Sequence, residues 1–432
     1  MKIAIVGSGI AGLAAARGLA SEHEIDVFEA GTHVGGHTHT HDLELDGRSV
    51  RIDSGFIVFN ERTYPGFCAL LRELGVASQP SDMGLSVRCE RTGLEYNGRN
   101  LDTLFAQRRN LLSPSFHRML RDVLRFHREA HGLLSADGAE LSLWDWLDAR
   151  GYSDVFRERY LVPMTAAIWS APARDVERFP ARFLARFLAN HGMLQVDGRP
   201  QWLTVRGGSA TYVDALVRPL AGRVHLRTPV QRVVRWDDRV EIVLRGGERR
   251  TFDHVVLATH SDQALALLGD ATPNEREILG AIRYRENEAL LHTDARLMPV
   301  RRKCWASWNC HLSAASDARE SAVAVTYWMN RLQALELDTQ VFVTLNRSAD
   351  VDPRRVLRRV QYHHPQFDPS AIAAQARKHE IQGRRRTWYC GAYWGFGFHE
   401  DGLQSGLEVA RGIDARRAAS IDEPRAALRV RA

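Results

Sequence analysis

Three glycines, Gly7, Gly9 and Gly12, stand at G-x-G-x-x-G spacing behind the short apolar run of residues 3–6 and ahead of an Ala/Leu-rich segment. That order reads as a buried parallel strand, a tight turn and a helix. The chemistry such a loop performs is to hold a pyrophosphate. Gly7 makes the turn, Gly9 lets the backbone approach the phosphates, and Gly12 lets helix and strand pack closely. The helix start, at Ile10 and Ala11, aims free N–H groups and a partial positive charge at the anion. Glu29 closes a second strand, residues 25–29, at the spacing where a carboxylate accepts hydrogen bonds from a ribose 2′-OH. Together these features predict a dinucleotide site.

Other stretches carry residues of chemical interest. Gly35 and Gly36 follow the ribose acid and would let the chain pass the nucleotide a second time. His37, His39 and His41 alternate, which in a strand sets them on one face with no carboxylate or cysteine set beside them, so no metal is expected. Gly55, inside the apolar run of residues 52–60, marks close approach by a ligand or by another backbone. Arg206-Gly207-Gly208-Ser209 precedes a helix, and its free N–H groups suit an anionic group. Five scattered cysteines with no C-x-x-C predict neither a disulfide frame nor a zinc site and fit a reducing cytoplasm.

The elements that must position these groups are legible from pattern. Residues 43–52 read as a hairpin turning at Asp46-Gly47, and residues 64–74 as a helix closed by Gly75. Short strands are expected over 84–99, then helices at about 101–109, 114–134, 142–150 and 153–161. Residues 162–172 are an apolar loop bracketed by prolines, a buried connection in a scaffold or a pocket wall in an enzyme. A helix over 211–220 leads to an antiparallel meander of residues 224–226, 230–236, 240–244 and 249–252, and then to a buried strand ending at Thr259. Strands are expected at 288–292, 304–309, 322–329 and 341–345, and helices at 353–361 and 370–380. A final strand gives way to a glycine- and aromatic-rich loop and a helix running to about residue 413.

The 432 residues, 44% apolar and 25% charged, belong to a soluble globular protein of two or three domains. No apolar run is long enough to span a bilayer, and no leader is expected, which favours the cytoplasm. The net charge is +6, almost wholly arginine, since only Lys2, Lys303 and Lys378 are lysines. Arginine can grip an anionic lipid or an acidic substrate, but acids are interspersed nearly everywhere. No nucleic-acid partner is expected, and oligomeric state is open.

Gly35-Gly36-His37 after the ribose acid resembles the E-A-x(4)-G-G-R/H pattern of two-dinucleotide-binding-domain flavoproteins and favours FAD. With the Val230 meander, Thr259, the 206–209 loop and the Gly391…Gly402…Gly406 segment, the chain resembles the flavin-dependent amine oxidase and phytoene desaturase superfamily. It is most similar to a bacterial group of NAD/FAD-binding proteins often associated with cyclopropane-fatty-acid synthase. The blocks carrying that likeness are residues 52–60, 166–172, 260–264, 327–331 and 397–402.

The resemblance implies an α/β fold, a Rossmann-like FAD domain with an interleaved α+β substrate domain. FAD would be held by residues 1–80, 200–270 and 385–415, substrate by 81–199 and 271–384, with residues 416–432 a flexible tail. His37 would lie near the cofactor and Val230 would meet the adenine end. The helix starting near Asp401, Gly402 and Leu403 would face the flavin N1–C2=O edge, with Gly55, Thr259 and Gly391 close by.

Amine oxidases place a lysine near flavin N5, but residues 282–289 contain none. Lys303 is the one remaining candidate, in a basic run that reads as a solvated turn. His399 and Glu400 are weak candidates for a catalytic base, and Glu400 would serve equally as a helix cap. Phe56, Phe59, Ile168, Trp169, Tyr393 and Trp394 could line an alkyl channel or be ordinary core. The expected function is removal of hydride from a C–H bond of an apolar, lipid-derived substrate, with an unidentified electron acceptor and peripheral contact with the inner membrane face. An amine oxidase-like enzyme, a flavin-assisted isomerase and a non-catalytic flavin- and lipid-binding accessory protein are the alternatives.

Overall fold

The computed structural model describes residues 1–135, 141–314 and 323–429, with side chains through residue 418. At its centre is a five-stranded parallel sheet in the order Val224–His225, Glu24–Phe28, Lys2–Val6, His254–Leu257 and Thr387–Tyr389. Its inner strands are nearly unbroken apolar runs because both faces are covered. Ile5 pairs with Val27 on one side and Val256 on the other, so the strands end together and their following loops share one edge.

The fingerprint helix Ile10–Leu19 and the terminal helix His399–Arg429 lie against one another on this sheet. A Cβ at Gly402 would stand 2.9 Å from the Ile10 side chain, one at Gly406 would collide with the Ala11 carbonyl, and one at Gly18 would stand 2.8 Å from Ala410. Partner numbers rise together along both helices, so the helices are parallel, with both N-termini at the edge where the strands end.

A seven-stranded sheet forms the second layer, ordered Val356–Pro365, Tyr284–His292, Phe342–Leu345, Ala324–Trp328, Trp308–Leu312, Leu85–Cys89 and Leu94–Asn97. Helices between residues 114 and 190 bury Phe116, Trp146, Phe156 and Leu184 against Val87, Cys310 and Val325 of this sheet. The result is the expected α/β architecture, a Rossmann-like sheet interleaved with an α+β part.

Four expectations need correction. Val224–His225 does not join the meander; it pairs with the edge of the parallel sheet, and only Val230–Arg235, Val240–Leu244 and Arg249–Phe252 form the antiparallel unit. Residues 162–169 are helical, continuing the helical run of residues 154–161 across a π-helical turn, Arg157–Leu161, that precedes Pro163, and Ser170 ends the helix in the left-handed region. Residues 353–361 are mainly strand, since Val356–Pro365 pairs along Tyr284–His292, and that ladder overrides local helical spacing. The terminal helix continues past its expected end at about residue 413, to Arg429. Residue 322, at the head of an expected strand, and residues 430–432 of the expected tail lie outside the described residues.

A buried ion pair ties the meander to the parallel sheet. Arg235 donates to both Glu275 oxygens at 2.6 and 3.1 Å and to Asp270 at 3.0 Å, while the Tyr389 hydroxyl donates to Glu275 at 2.6 Å. The Arg235 side chain has no solvent exposure, so removing its main partner strands a buried cation. Glu275→Ala is expected to cost about 3–5 kcal/mol in urea unfolding. Arg235→Met combined with Glu275→Ala should recover much of that loss.

Candidate cofactor and substrate site

The shared strand edge brings together Gly7, Glu29 and Thr259, which are far apart in the chain. Gly7 has φ +105°, and a Cβ there would stand 2.7 Å from the Ala258 carbonyl oxygen. A Cβ at Gly12 would collide with the Gly7 carbonyl. Gly9 differs from both, since nothing lies within 4 Å of where its Cβ would be. The protein itself does not need a glycine at this point. The open space lies before a helix N-terminus, so it fits a phosphate.

Glu29 is held beside the loop. One carboxylate oxygen accepts from the Ser8 N–H at 3.0 Å and the Ser8 hydroxyl at 2.6 Å, the other from the Gly31 N–H at 2.7 Å. One lone-pair site is left for a ribose hydroxyl. Its carbonyl accepts from the Thr228 N–H at 2.8 Å, which sets the start of the Val230 strand beside it. Gly35 bridges to Gly9 and donates to the Ser8 carbonyl at 3.0 Å, so the second glycine pair lies against the first loop.

Several of the expected cofactor residues also make internal contacts. A Cβ at Gly55 would collide with the His37 carbonyl, so the close approach is by backbone. Asp401 folds back to accept from the Phe396 and Phe398 N–H groups at 3.1 and 2.9 Å, and burial pushes its carboxyl up to about 6. The Leu403 side chain is buried with Phe59 and Phe67, leaving its backbone alone to face a ligand. Gly391 donates to the Ser405 hydroxyl at 3.2 Å, and the Tyr393 ring closes over it. The 206–209 loop does receive an anion, but it is this chain's own Asp53. That buried carboxylate accepts from the Ser209 N–H and hydroxyl, the Thr40 hydroxyl and the Gln333 amide, and burial pushes it up to about 6.

None of the three candidate catalytic groups is free. Glu400 caps the helix Pro65–Leu74, accepting from the Gly66 and Phe67 N–H groups at 2.9 and 2.8 Å. The His399 ring stacks on Phe56 with centroids 3.7 Å apart, and its Nε2 bonds the Tyr212 hydroxyl at 2.8 Å. Burial lowers His399 to about 3, so it is neutral. Lys303 is exposed and paired with Asp102 at 3.1 Å.

The expected pocket residues fall into separate groups. Phe56 and Phe59 pack with Tyr64, Phe67 and Tyr212. Tyr393 and Trp394 turn away toward Ile282 and Ala371. Ile168 and Trp169 join a ring cluster made with Phe396, another apolar residue of the expected channel, and with Phe183, Phe187, Phe367 and Phe398, which sequence reading missed. Trp169 Nε1 donates to the Phe396 carbonyl at 3.1 Å, fixing this cluster to the loop that opens the terminal helix. Its signal in the sequence is the spacing of Phe183 and Phe187, four apart on one face of the helix Ala181–Asn190.

The histidines also divide. His33, His39 and His41 stack as a ladder with centroids 4.0 and 4.1 Å apart, while His37 turns the other way, because the strand begins only at Thr40. His37 stacks on Tyr362 at 5.1 Å and lies 5.6 Å from His364 and 5.9 Å from His260. Its buried Nε2 has no partner. Burial lowers His37 to about 4 and His260 and His364 to about 3. The misread strand Val356–Pro365 concealed Tyr362, His363 and His364.

Two outcomes test this geometry. Gly9→Val, facing open space, should fold with unchanged circular dichroism yet retain no flavin absorbance after incubation with FAD and gel filtration. The second concerns pH. A histidine held below its unfolded value contributes stability that is fully present above about 6.5 and is lost as pH falls toward 4. In flavin-free protein, His37→Asn should therefore recover about 2 kcal/mol relative to wild type on going from pH 7.5 to pH 5, read by urea unfolding. Asp53 and Asp401 shift in the opposite sense but are common to both proteins and cancel in the difference.

Comparison with known proteins agrees with this arrangement. Residues 10–291, well over half of the chain, match the flavin containing amine oxidoreductase family. AofH of Mycobacterium tuberculosis, a protein assigned as a flavin-containing monoamine oxidase, is 29% identical over 260 residues, covering 57% of this chain and 54% of that one. The chain thus spans about half the length of the curated relatives it matches. Among solved structures, cyclohexylamine oxidase from Brevibacterium oxydans superposes with TM-score 0.70 at 15% identity, over 96% of this chain and 99% of that one. Putrescine oxidase bound to putrescine gives 0.68 at 16% identity, with the same coverage. A fatty acid isomerase from P. acnes gives 0.65 at 17% identity, over 95% and 97%. The chain belongs to the flavin containing amine oxidoreductase family, and FAD is its cofactor.

Proposed function

We propose that this chain is an FAD-dependent oxidoreductase that removes hydride from a C–H bond of an apolar, lipid-derived substrate. The observation that carries the reading is the ring cluster around Trp169. Trp169, Phe183, Phe187, Phe367, Phe396 and Phe398 supply only apolar faces and edges beside the flavin-facing loop. His191, which stacks on Phe187, is lowered to about 4 by burial and is neutral. Such a wall favours an alkyl chain over an ammonium group. An amine oxidase's lysine has no counterpart here, since Lys303 is bound at the surface, Lys378 pairs with Glu408 and Lys2 is exposed.

When bound, FAD would supply the hydride acceptor, the proton lost from the adjoining carbon would pass to solvent, and an external electron acceptor would restore the flavin. The protein's part is orientation. The Gly9 cradle and Glu29 hold the dinucleotide end. The terminal helix directs its positive end toward the cofactor's electron-rich edge, where negative charge develops on reduction. Glu400, Asp401 and His399 stiffen this helix start through Gly66, the 396–398 loop and Tyr212, so the loop orients and does not exchange protons. Among the described residues no helix is long and apolar enough to cross a membrane. A cytoplasmic protein working at the inner face of a membrane is consistent with that.

Flavin-assisted isomerisation is the second reading, favoured by the likeness to a fatty acid isomerase over nearly the whole chain. Anaerobic addition of a bacterial lipid extract to the FAD-loaded protein separates the cases. Loss of the oxidised flavin absorbance is expected for hydride removal. New lipid product without net bleaching would assign isomerisation. Neither response, with bleaching by a diamine instead, would overturn the lipid reading.

A further inference from the structure

Leu112, Val300 and Leu101, at 89%, 77% and 74% exposure, are the most exposed large apolar side chains among the described residues. They come from three separate segments, yet all three are tied to one edge strand, Leu94–Asn97, and the turn that opens it. The N–H groups of Val300 and Arg301 donate to Glu95 at 2.7 and 3.1 Å. Thr103, in the turn after Leu101, donates to the Asn97 carbonyl at 3.0 Å. Gln107 and Arg109, just before Leu112, both donate to the Gly93 carbonyl, at 2.7 and 2.9 Å. A four-residue strand spans only about 13 Å, so the three apolar tips share one end of the molecule.

Their surroundings are basic. Residues 94–112 and 299–303 hold Arg99, Arg108, Arg109, Arg301, Arg302 and Lys303 against two acids. Glu95 is buried beneath the Val300 turn, and Asp102 is shared by Arg108 and Lys303. The basic character continues along the next helix, Pro114–Glu129, whose exposed face carries Arg118, Arg121, Leu124 and Arg128. His117 of that helix bonds the Leu111 carbonyl at 2.8 Å, so the two surfaces are continuous.

We propose that this end of the protein docks on an anionic phospholipid bilayer. Isolated leucine and valine tips between arginines do not make a groove for a folded partner. They do match a bilayer, where the tips enter the acyl boundary and the guanidinium groups bond lipid phosphates. The surface argument does not use the substrate reading, although it would give an enzyme acting on lipid its route to the bilayer.

The test is sedimentation of the FAD-loaded full chain with vesicles of phosphatidylcholine alone or mixed with phosphatidylglycerol. Binding is expected with the mixed vesicles alone and should weaken as salt rises. Leu112→Ser combined with Val300→Ser should weaken it about tenfold or more while leaving the flavin absorbance unchanged. Absence of binding to mixed vesicles would overturn the proposal. So would a double variant that binds like wild type, or equal binding to an RNA of similar charge, because either outcome reduces the patch to a general polyanion site. Partitioning is read without turnover, so it separates from the substrate reading. Vesicle binding alongside a lipid extract that yields neither bleaching nor a new lipid product retains the docking surface and removes the lipid substrate.

Discussion

Two helices that begin almost four hundred residues apart must lie in parallel and close enough for backbone to touch side chain. Gly402 against Ile10, Gly406 against Ala11 and Gly18 against Ala410 permit that approach, and any larger residue at the two terminal-helix glycines would separate the pair. Parallel packing sets two helix N-termini at one sheet edge, so two regions of positive backbone potential face the same space. The open cradle at Gly9 suits a phosphate, and the start of the terminal helix suits an electron-rich group. One contact between helices therefore sets both on the same edge.

The loops around that contact are held by two carboxylates that accept hydrogen bonds and, among the described residues, form no ion pair. Asp53 gathers the 40–53 hairpin, the 206–209 loop and Gln333 of the second layer through hydrogen bonds alone. Glu400 joins the terminal helix to the N-terminus of the helix Pro65–Leu74. Both carboxylates are placed at helix starts, where backbone N–H groups have no partner within the helix. The 206–209 loop has the composition of an anion site, and it is one. Its anion is covalently part of the chain, which makes the loop a joint and not a second ligand site.

Around this frame the polar and apolar groups separate. The imidazoles of His37, His260 and His364 gather where the cofactor loops meet the large sheet, and burial keeps all three neutral. The aromatic rings gather on the other side of the 395–398 loop, anchored by Trp169. Asp401, the acid bonded to the Phe396 and Phe398 N–H groups of that loop, is committed to the loop itself. The basic, apolar-tipped end of the large sheet adds a surface suited to lipid. These features concern different parts of the molecule, and both fit the lipid reading proposed above.

The sequence by itself determined the first strand, the glycine turn, the fingerprint helix and the acid at Glu29, because each is a local solution to local sterics. It also determined the cofactor class, since Gly35, Thr259 and Gly402 occur in a recognisable order. What it could not reveal depends on pairing and packing between distant segments. Residues 356–365 look helical alone and become a strand only beside residues 284–292, which turns Tyr362 and His364 toward His37. His399 and Glu400 look like catalytic groups until Tyr212 and the 65–74 helix occupy them. Tyr393 and Trp394 adjoin the flavin-facing loop in the chain, yet their side chains leave it because the turn at Gly391 points them toward Ile282. Spacing along a chain says which groups can be neighbours. Only tertiary structure decides which of them are already satisfied, because hydrogen-bond capacity and surface can each be used once.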